Sequence, residues 1–213
     1  NNNTSRLIHV SALGVSENAP SKYLKSKWQG EKEVKNLEEN NTEVTILRPS
    51  VVFGNEDSFT NLFLKVMTVF PVLPLVKPTS LIQPIFVEDL AEAVLTILES
   101  CGQAGNTYEL GGPKIYTLQK ILKIICASQN KQRLIVPLPD FASRSIASLM
   151  EMMPLKILTR DNLLSLSIEN TTTQNFSKLF KLEPESLESY LQKKGETFDQ
   201  HNRKAKRRGY ANR

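Results

Sequence analysis

The sequence predicts an α/β fold organised around a parallel sheet, followed by a small α/β or helical lobe and a basic tail. Three observations point there. Two short apolar runs, "RLIHVSAL" and "EVTILRPSVVFG", flank a helical pattern, which is the strand–helix–strand crossover of parallel sheets. Two further extended-then-helical patterns follow, in "IQPIFVEDLAEAVLTILES" and "NTYELGGPKIYTLQKILKIICAS". A chain of 213 residues with 40% hydrophobic content can bury one sizeable core, or one core with a small appendage.

Taken in order, "RLIHVSAL" is an apolar run ending in a small polar residue, as expected of a buried strand and the loop at its carboxyl end. Ser21 then caps a helix running to about Glu39, with Leu24, Trp28, Val34 and Leu37 on one apolar stripe. Val44 to Leu47 forms a second strand, stopped by Pro49 and bounded by Gly54. Residues from about Asn55 to Ile82 read as irregular. The next helix carries Glu88 and Asp89 in its first turn, where acidic groups favour the helix dipole. After a strand and a Gly-Gly-Pro turn, a last clear helix starts near Thr117. The Pro-broken, methionine-rich stretch "RLIVPLPDFASRSIASLMEMMPLKILTRDNLLSL" is either a core edge or an amphipathic surface for a partner or membrane interface. By these divisions residues 1–130 form the sheet domain, 131–192 a small lobe and 193–213 a tail.

Composition excludes several classes. No run of about 18 apolar residues exists to span a membrane, and nothing at the amino end has the layout of a secretory signal. Cys101 and Cys126 form no CxxC pair, and His9 and His201 lack neighbouring ligand types, so no structural zinc site is expected and reduced thiols are. The net charge of +5 belongs to the tail: residues 193–213 hold eight basic and two acidic residues, leaving 19 basic and 20 acidic in the body. Such a cluster suits anionic lipid head groups or an acidic partner, or is simply a solvated terminus. The body has no repeated basic-aromatic pattern, and nucleic acid binding is not expected.

The segment "SKYLKSKWQGE" carries the candidate chemistry. On a helix, Tyr23, Lys27 and Glu31 project from one face. A phenol with a pKa near ~10 is a poor acid or base at neutral pH, and an adjacent ammonium favours its anion. Lys27 can also hydrogen-bond ribose hydroxyls, and Ser11 can hold a substrate oxygen. Spacing alone is weak evidence, because Tyr116 with Lys120 and Tyr190 with Lys194 repeat it. Context separates Tyr23: its helix lies between two buried strands, and ligands of open parallel sheets bind beyond the strands' carboxyl ends, where the Ser11 and Pro49–Ser50 loops emerge.

In order, "HVSALGV", "YLKSKWQGE", "LRPSVVFG" and "QPIFVEDLAEAV" resemble the extended short-chain dehydrogenase/reductases, the NAD-dependent epimerase/dehydratase family. The finer wording, with "FPVLPL" and "LTRDNL", is most similar to the nucleotide-binding accessory subunits of respiratory complex I and their bacterial relatives, over most of residues 6 to 165. The resemblance implies the carboxyl-terminal part of a Rossmann-like doubly wound sheet. It implies Tyr23 as the catalytic-type tyrosine, with Ser11 as its hydroxyl neighbour, and Lys27 as the lysine that orients Tyr23 and touches the nicotinamide ribose. Pro49, Ser50, Val51 and Val52 become the loop beside the nicotinamide, and Asp89 a brace. The cofactor implied is NADP or NAD. Implied partners are complex I subunits and, through the tail, an anionic membrane surface. The implied location is the cytoplasm or the cytoplasmic side of a bacterial inner membrane, or the matrix side of a mitochondrion.

Two departures limit what the resemblance implies. Active members commonly carry a second Ser or Thr where Ala12 stands, and loss of such an aligned donor can cost on the order of a hundredfold in rate. None of the nine glycines forms a GxxGxxG or GxGxxG phosphate fingerprint. The expectation is therefore of a chain that needs a preceding half to bind dinucleotide tightly. Three functions follow: a complex I associated nucleotide-binding subunit with little or no turnover, an active oxidoreductase, epimerase or dehydratase, or an interaction or redox-sensing protein with a vestigial pocket.

Overall fold

In chain order the elements are β1 (Arg6–Val10), α1 (Lys22–Lys35), β2 (Glu43–Pro49), β3 (Val52–Phe53), α2 (Ser58–Val69), β4 (Val72–Leu75), β5 (Leu81–Ile82) and β6 (Ile85–Phe86). They continue with α3 (Val87–Glu99), β7 (Thr107–Leu110), β8 (Tyr116–Thr117), α4 (Leu118–Ser128), β9 (Leu134–Pro137), α5 (Arg160–Ser165), α6 (Phe176–Phe180) and α7 (residues 187–195). The computed structural model describes residues 5–40, 42–100, 104–129, 133–139 and 159–195. The methionines at 150, 152 and 153 and the tail beyond 195 lie outside the described residues.

The predicted crossover is present. β1 and β2 pair in parallel, with Arg6 opposite Glu43 and Val10 opposite Leu47, and β7 joins β2 on its other side, also in parallel. Three small two-stranded ladders surround this sheet: β3 with β6, β4 with β9, and antiparallel β5 with β8. One face of the sheet meets α1, and the other meets α3 and α6, where Leu47, Ile85, Ala93, Ile97, Leu110 and Phe176 bury together. A second, larger core gathers Phe53, Met67, Ile82, Ile121, Ile125 and the α7 residues Leu187 and Leu191, so the last helix is part of the packing rather than an appendage to it.

Two differences from the sequence pattern have local causes. Helix α1 ends at Lys35, not near Glu39, because residues 36–40 tighten into a 3₁₀ turn and Leu37 is exposed. The region from Asn55 to Ile82 is more regular than expected. Its helix α2 is capped by Asp57, which accepts from the Thr60 amide at 2.5 Å, and its polar residues Ser58, Asn61, Lys65 and Thr68 recur at helical spacing, a period that the expectation of an irregular segment overlooked.

The rotation of α1 on the sheet is set by a buried ion pair. Glu31, 3% exposed, accepts from Arg48 of β2 at two points, Nε to Oε1 at 2.9 Å and Nη2 to Oε2 at 2.7 Å. Burial pushes the Glu31 carboxyl up, but the hydrogen bonds and charge of Arg48, aided by the nearby Ser11 hydroxyl, outweigh it and hold the pKa below the ordinary range. Glu109 of β7, 4.0 Å from Arg48 Nη1, extends the pair across the sheet.

Removing one partner leaves the other buried and uncompensated. Arg48→Met should destabilise the fold by about 3 kcal/mol in urea unfolding at neutral pH. Because the folded pKa of Glu31 is depressed, its contribution is complete above the unfolded carboxylate value of about 4.3 and fades as pH falls through the folded value. The stability gap between wild type and Glu31→Gln should therefore shrink on acidification, and a gap that widened would contradict this role.

Candidate functional site

Where β1 and β2 end, their outgoing loops and the amino-terminal half of α1 enclose a cleft of about 390 Å³. Val10 to Leu13 line one side, Tyr23, Leu24 and Lys27 line the α1 side, and Pro49, Ser50, Val51 and Val52 line the floor. Ser80 to Ile82, with Ser165, Leu166, Ile168 and Asn170, form the opposite wall. The sequence-predicted residues Ser11, Tyr23, Lys27 and Pro49 to Val52 are thus brought together. Glu31, on the same helical face two turns on, is not among them, because its carboxylate is committed to Arg48.

The start of α1 is held twice. Ser21 accepts from the Leu24 amide at 3.2 Å, and Asp161 of α5 accepts from the amides of Lys22 at 2.7 Å and Tyr23 at 3.1 Å. The Tyr23 side chain is 48% exposed at the mouth, and its hydroxyl has no hydrogen-bond partner among the described residues. Burial of its inner half raises the phenol pKa above the ordinary value. Lys27 Nζ instead donates to the Val10 carbonyl at 3.3 Å. The amine is positioned at the end of β1, and the Tyr23 pKa is raised rather than lowered as expected.

Ser11 is 3% exposed, and its Oγ lies near Glu31 without closing a hydrogen bond of ordinary geometry. Its amide donates to Leu47 O at 2.7 Å, and the Leu13 amide donates to Pro49 O at 3.0 Å, so the two loops are tied through their backbones. Gly14 then turns the chain at φ +77°, and a Cβ there would lie 3.1 Å from Ile168 Cγ2. Asn170 secures the floor: its Oδ1 accepts from Ser50 Oγ at 2.5 Å and from the Val51 amide at 3.0 Å. Asp161 was contained in the "LTRDNL" motif, but its partners are 138 and 139 residues away, and Asn170 carries no local signal at all.

The other two Tyr-xxx-Lys pairs are accounted for by packing. Tyr116 is buried and donates to Glu188 Oε2, and burial followed by that carboxylate raises its pKa. Tyr190 packs against Phe53 and Phe86, with Lys194 over its ring at 5.7 Å. Asp89 accepts from the Glu185 amide at 2.8 Å, joining α3 to the segment before α7. Among the described residues no cluster of three or more His, Cys, Asp or Glu could hold a metal, and no helix is long and apolar enough to cross a membrane.

The family model described as RmlD substrate binding domain matches residues 16–162. The mitochondrial NADH dehydrogenase [ubiquinone] 1 alpha subcomplex subunit 9 of Dictyostelium discoideum is 39% identical over 58% of this chain and 34% of the relative. The protein of the same name from Arabidopsis thaliana is 31% identical over 87% of this chain and 48% of the relative. The chain therefore spans between a third and a half of the length of these relatives. An NADPH-dependent quinone oxidoreductase from Escherichia coli, solved in complex with NADPH, superposes with a TM-score of 0.63 at 17% identity, over 88% of this chain and 64% of that one. That likeness shows a Rossmann-like α/β fold.

The cap from α5 ties the far wall of the cleft to α1. Asp161→Ala should lower stability by about 1 kcal/mol in urea unfolding, and Asp161→Asn by less, since an amide oxygen still accepts. Equal losses in both variants would mean that the cap is not what Asp161 contributes.

Proposed function

The chain belongs to the RmlD substrate binding domain family, and from that premise we propose that it serves a NAD(P)(H)-binding subunit associated with respiratory complex I, with weak or no turnover. The observation that carries the reading is the convergence of Tyr23, Lys27 and the Pro49–Val52 loop on one cleft beyond the carboxyl ends of parallel strands. In it, Lys27 and Tyr23 hold the nicotinamide ribose, and Pro49 to Val52 face the nicotinamide. Ser11 stands beside them as the remaining hydroxyl of the catalytic-type set. The dinucleotide, NADP or NAD, supplies hydride chemistry when bound.

One feature favours binding over turnover: the chain offers Ala12 where active relatives of the extended type place a second hydroxyl. The relatives are named as mitochondrial NADH dehydrogenase subunits, which supports a mitochondrial location, on the matrix side, if the chain is eukaryotic. The basic tail, residues 193–213, is proposed to meet an anionic membrane surface.

The complete protein should copurify with NADPH or NADH. Tyr23→Phe should weaken nucleotide affinity about fivefold through the lost ribose contact, and Lys27→Met about tenfold, the equivalent of roughly 1.4 kcal/mol. Robust turnover on a carbonyl substrate that collapses in Tyr23→Phe would replace this reading with an active oxidoreductase. Deleting residues 196–213 should reduce pelleting with anionic liposomes at low salt, and an unchanged pellet would remove the membrane assignment.

A further inference from the structure

Asn170 joins the far wall of the cleft to its floor. Its backbone extends the edge of β5: the Asn170 amide donates to Leu81 O at 3.0 Å, and Asn170 O accepts from the Gln83 amide at 3.0 Å. Ile82 and Asn170 form a parallel bridge between these two bonds. The side chain then reaches the loop after β2, where Oδ1 accepts from the Val51 amide at 3.0 Å. The Ser50 hydroxyl lies between Asn170 Oδ1, at 2.5 Å, and Asn170 O, at 3.1 Å. A backbone N–H can donate only to the oxygen of an amide, so the Val51 contact fixes which way round the Asn170 side chain sits. Its Nδ2 is left with two N–H donors, no partner among the described residues and a place on a residue that lines the cleft. That nitrogen is not sealed from solvent, whereas Ser11 Oγ is.

We propose that Asn170 is a specificity-determining residue of the nucleotide site: Nδ2 donates to the carboxamide oxygen of the nicotinamide, while Oδ1 holds the Pro49–Val52 loop beside the ring. This rests on the dinucleotide reading given above. The placement follows from the clamp, because one planar amide has its oxygen on the loop that faces the nicotinamide and its nitrogen on the adjoining cleft surface. The loop itself has little left to give. The Val51 amide is taken by Oδ1, the Ser50 amide donates to Leu110 O at 2.8 Å, and the Ser50 hydroxyl donates to Asn170. The donor that Ser50 and Val51 do not offer a carboxamide is therefore supplied across the cleft by Asn170. Its backbone and side chain are already held, so little rotamer freedom remains to be lost when the ligand arrives.

Asn170→Asp separates the two ends of the side chain. A carboxylate still accepts from Val51 and Ser50, but its second oxygen replaces the donor with an acceptor. In the complete protein, calorimetry compares NADH with ADP-ribose, and NADPH with 2′-phospho-ADP-ribose, each second ligand keeping the phosphates and lacking the nicotinamide. Repulsion between the added charge and the phosphates is common to both members of a pair and cancels in their ratio. The expected result in the variant is a loss of about tenfold for the reduced dinucleotide and of less than about twofold for its ring-free counterpart. Should Asn170→Asp not fold, wild type supplies the readout: a reduced dinucleotide with a thioamide in place of the carboxamide, sulfur being a weak acceptor, should bind about fivefold more weakly than the parent. Equal losses within a pair, no loss for either member, or, in the second arm, equal affinity for the thioamide overturns the inference and leaves the dinucleotide reading standing. Wild-type protein that binds neither NADH nor NADPH ends both.

Discussion

The geometry of the cleft depends on the rotation of one helix. Helix α1 presents Tyr23, Lys27 and Glu31 on a single face, and four contacts decide where that face points. Ser21 and Asp161 hold its first turn, Lys27 reaches the end of β1, and Glu31 is clamped to Arg48 of β2. A side-chain period of 3.6 residues means that a rotation of one residue would carry Tyr23 about 100° away from the cleft. The Glu31–Arg48 pair makes such a rotation costly, since it would leave the Glu31 carboxylate without its partner in a place with little water. The glutamate of the tyrosine–lysine–glutamate series is thus a structural fixture that aims the other two.

Aiming is distinct from activation. The cleft holds a phenol, an amine and a hydroxyl in one place, yet burial raises the phenol pKa and the amine is engaged with a backbone carbonyl. The far wall has the same character, because its serines and its asparagine are used to hold the loops in shape.

Much of this was legible from local sequence. The strand–helix–strand unit, the helices that became α3 and α4, the Ser21 cap and the gathering of Ser11, Tyr23, Lys27 and residues 49–52 follow from periodicity, capping chemistry and the rule for open parallel sheets. The polar contacts that shape the cleft were not. Asp161 and Asn170 act on residues more than a hundred positions away, and a single Asp or Asn has no pattern that announces a distant partner. Glu31 read as the end of a chemical face because helical spacing gives direction without depth, and only the packing of β2 beneath it turns that position into a buried one. Helix α2 was legible but overlooked: Asp57 caps it and Ser58, Asn61, Lys65 and Thr68 recur at helical spacing.

The proposed function requires a nicotinamide nucleotide to seat between α1 and the Pro49–Val52 loop without being consumed. Hydrogen–deuterium exchange of the complete protein, with and without NADPH, tests it most directly. The claim predicts slowed exchange in peptides covering residues 10–13, 22–28 and 49–53, and unchanged NADPH absorbance over the same period. Protection confined to other parts of the protein, with these three peptides unaffected, would contradict it.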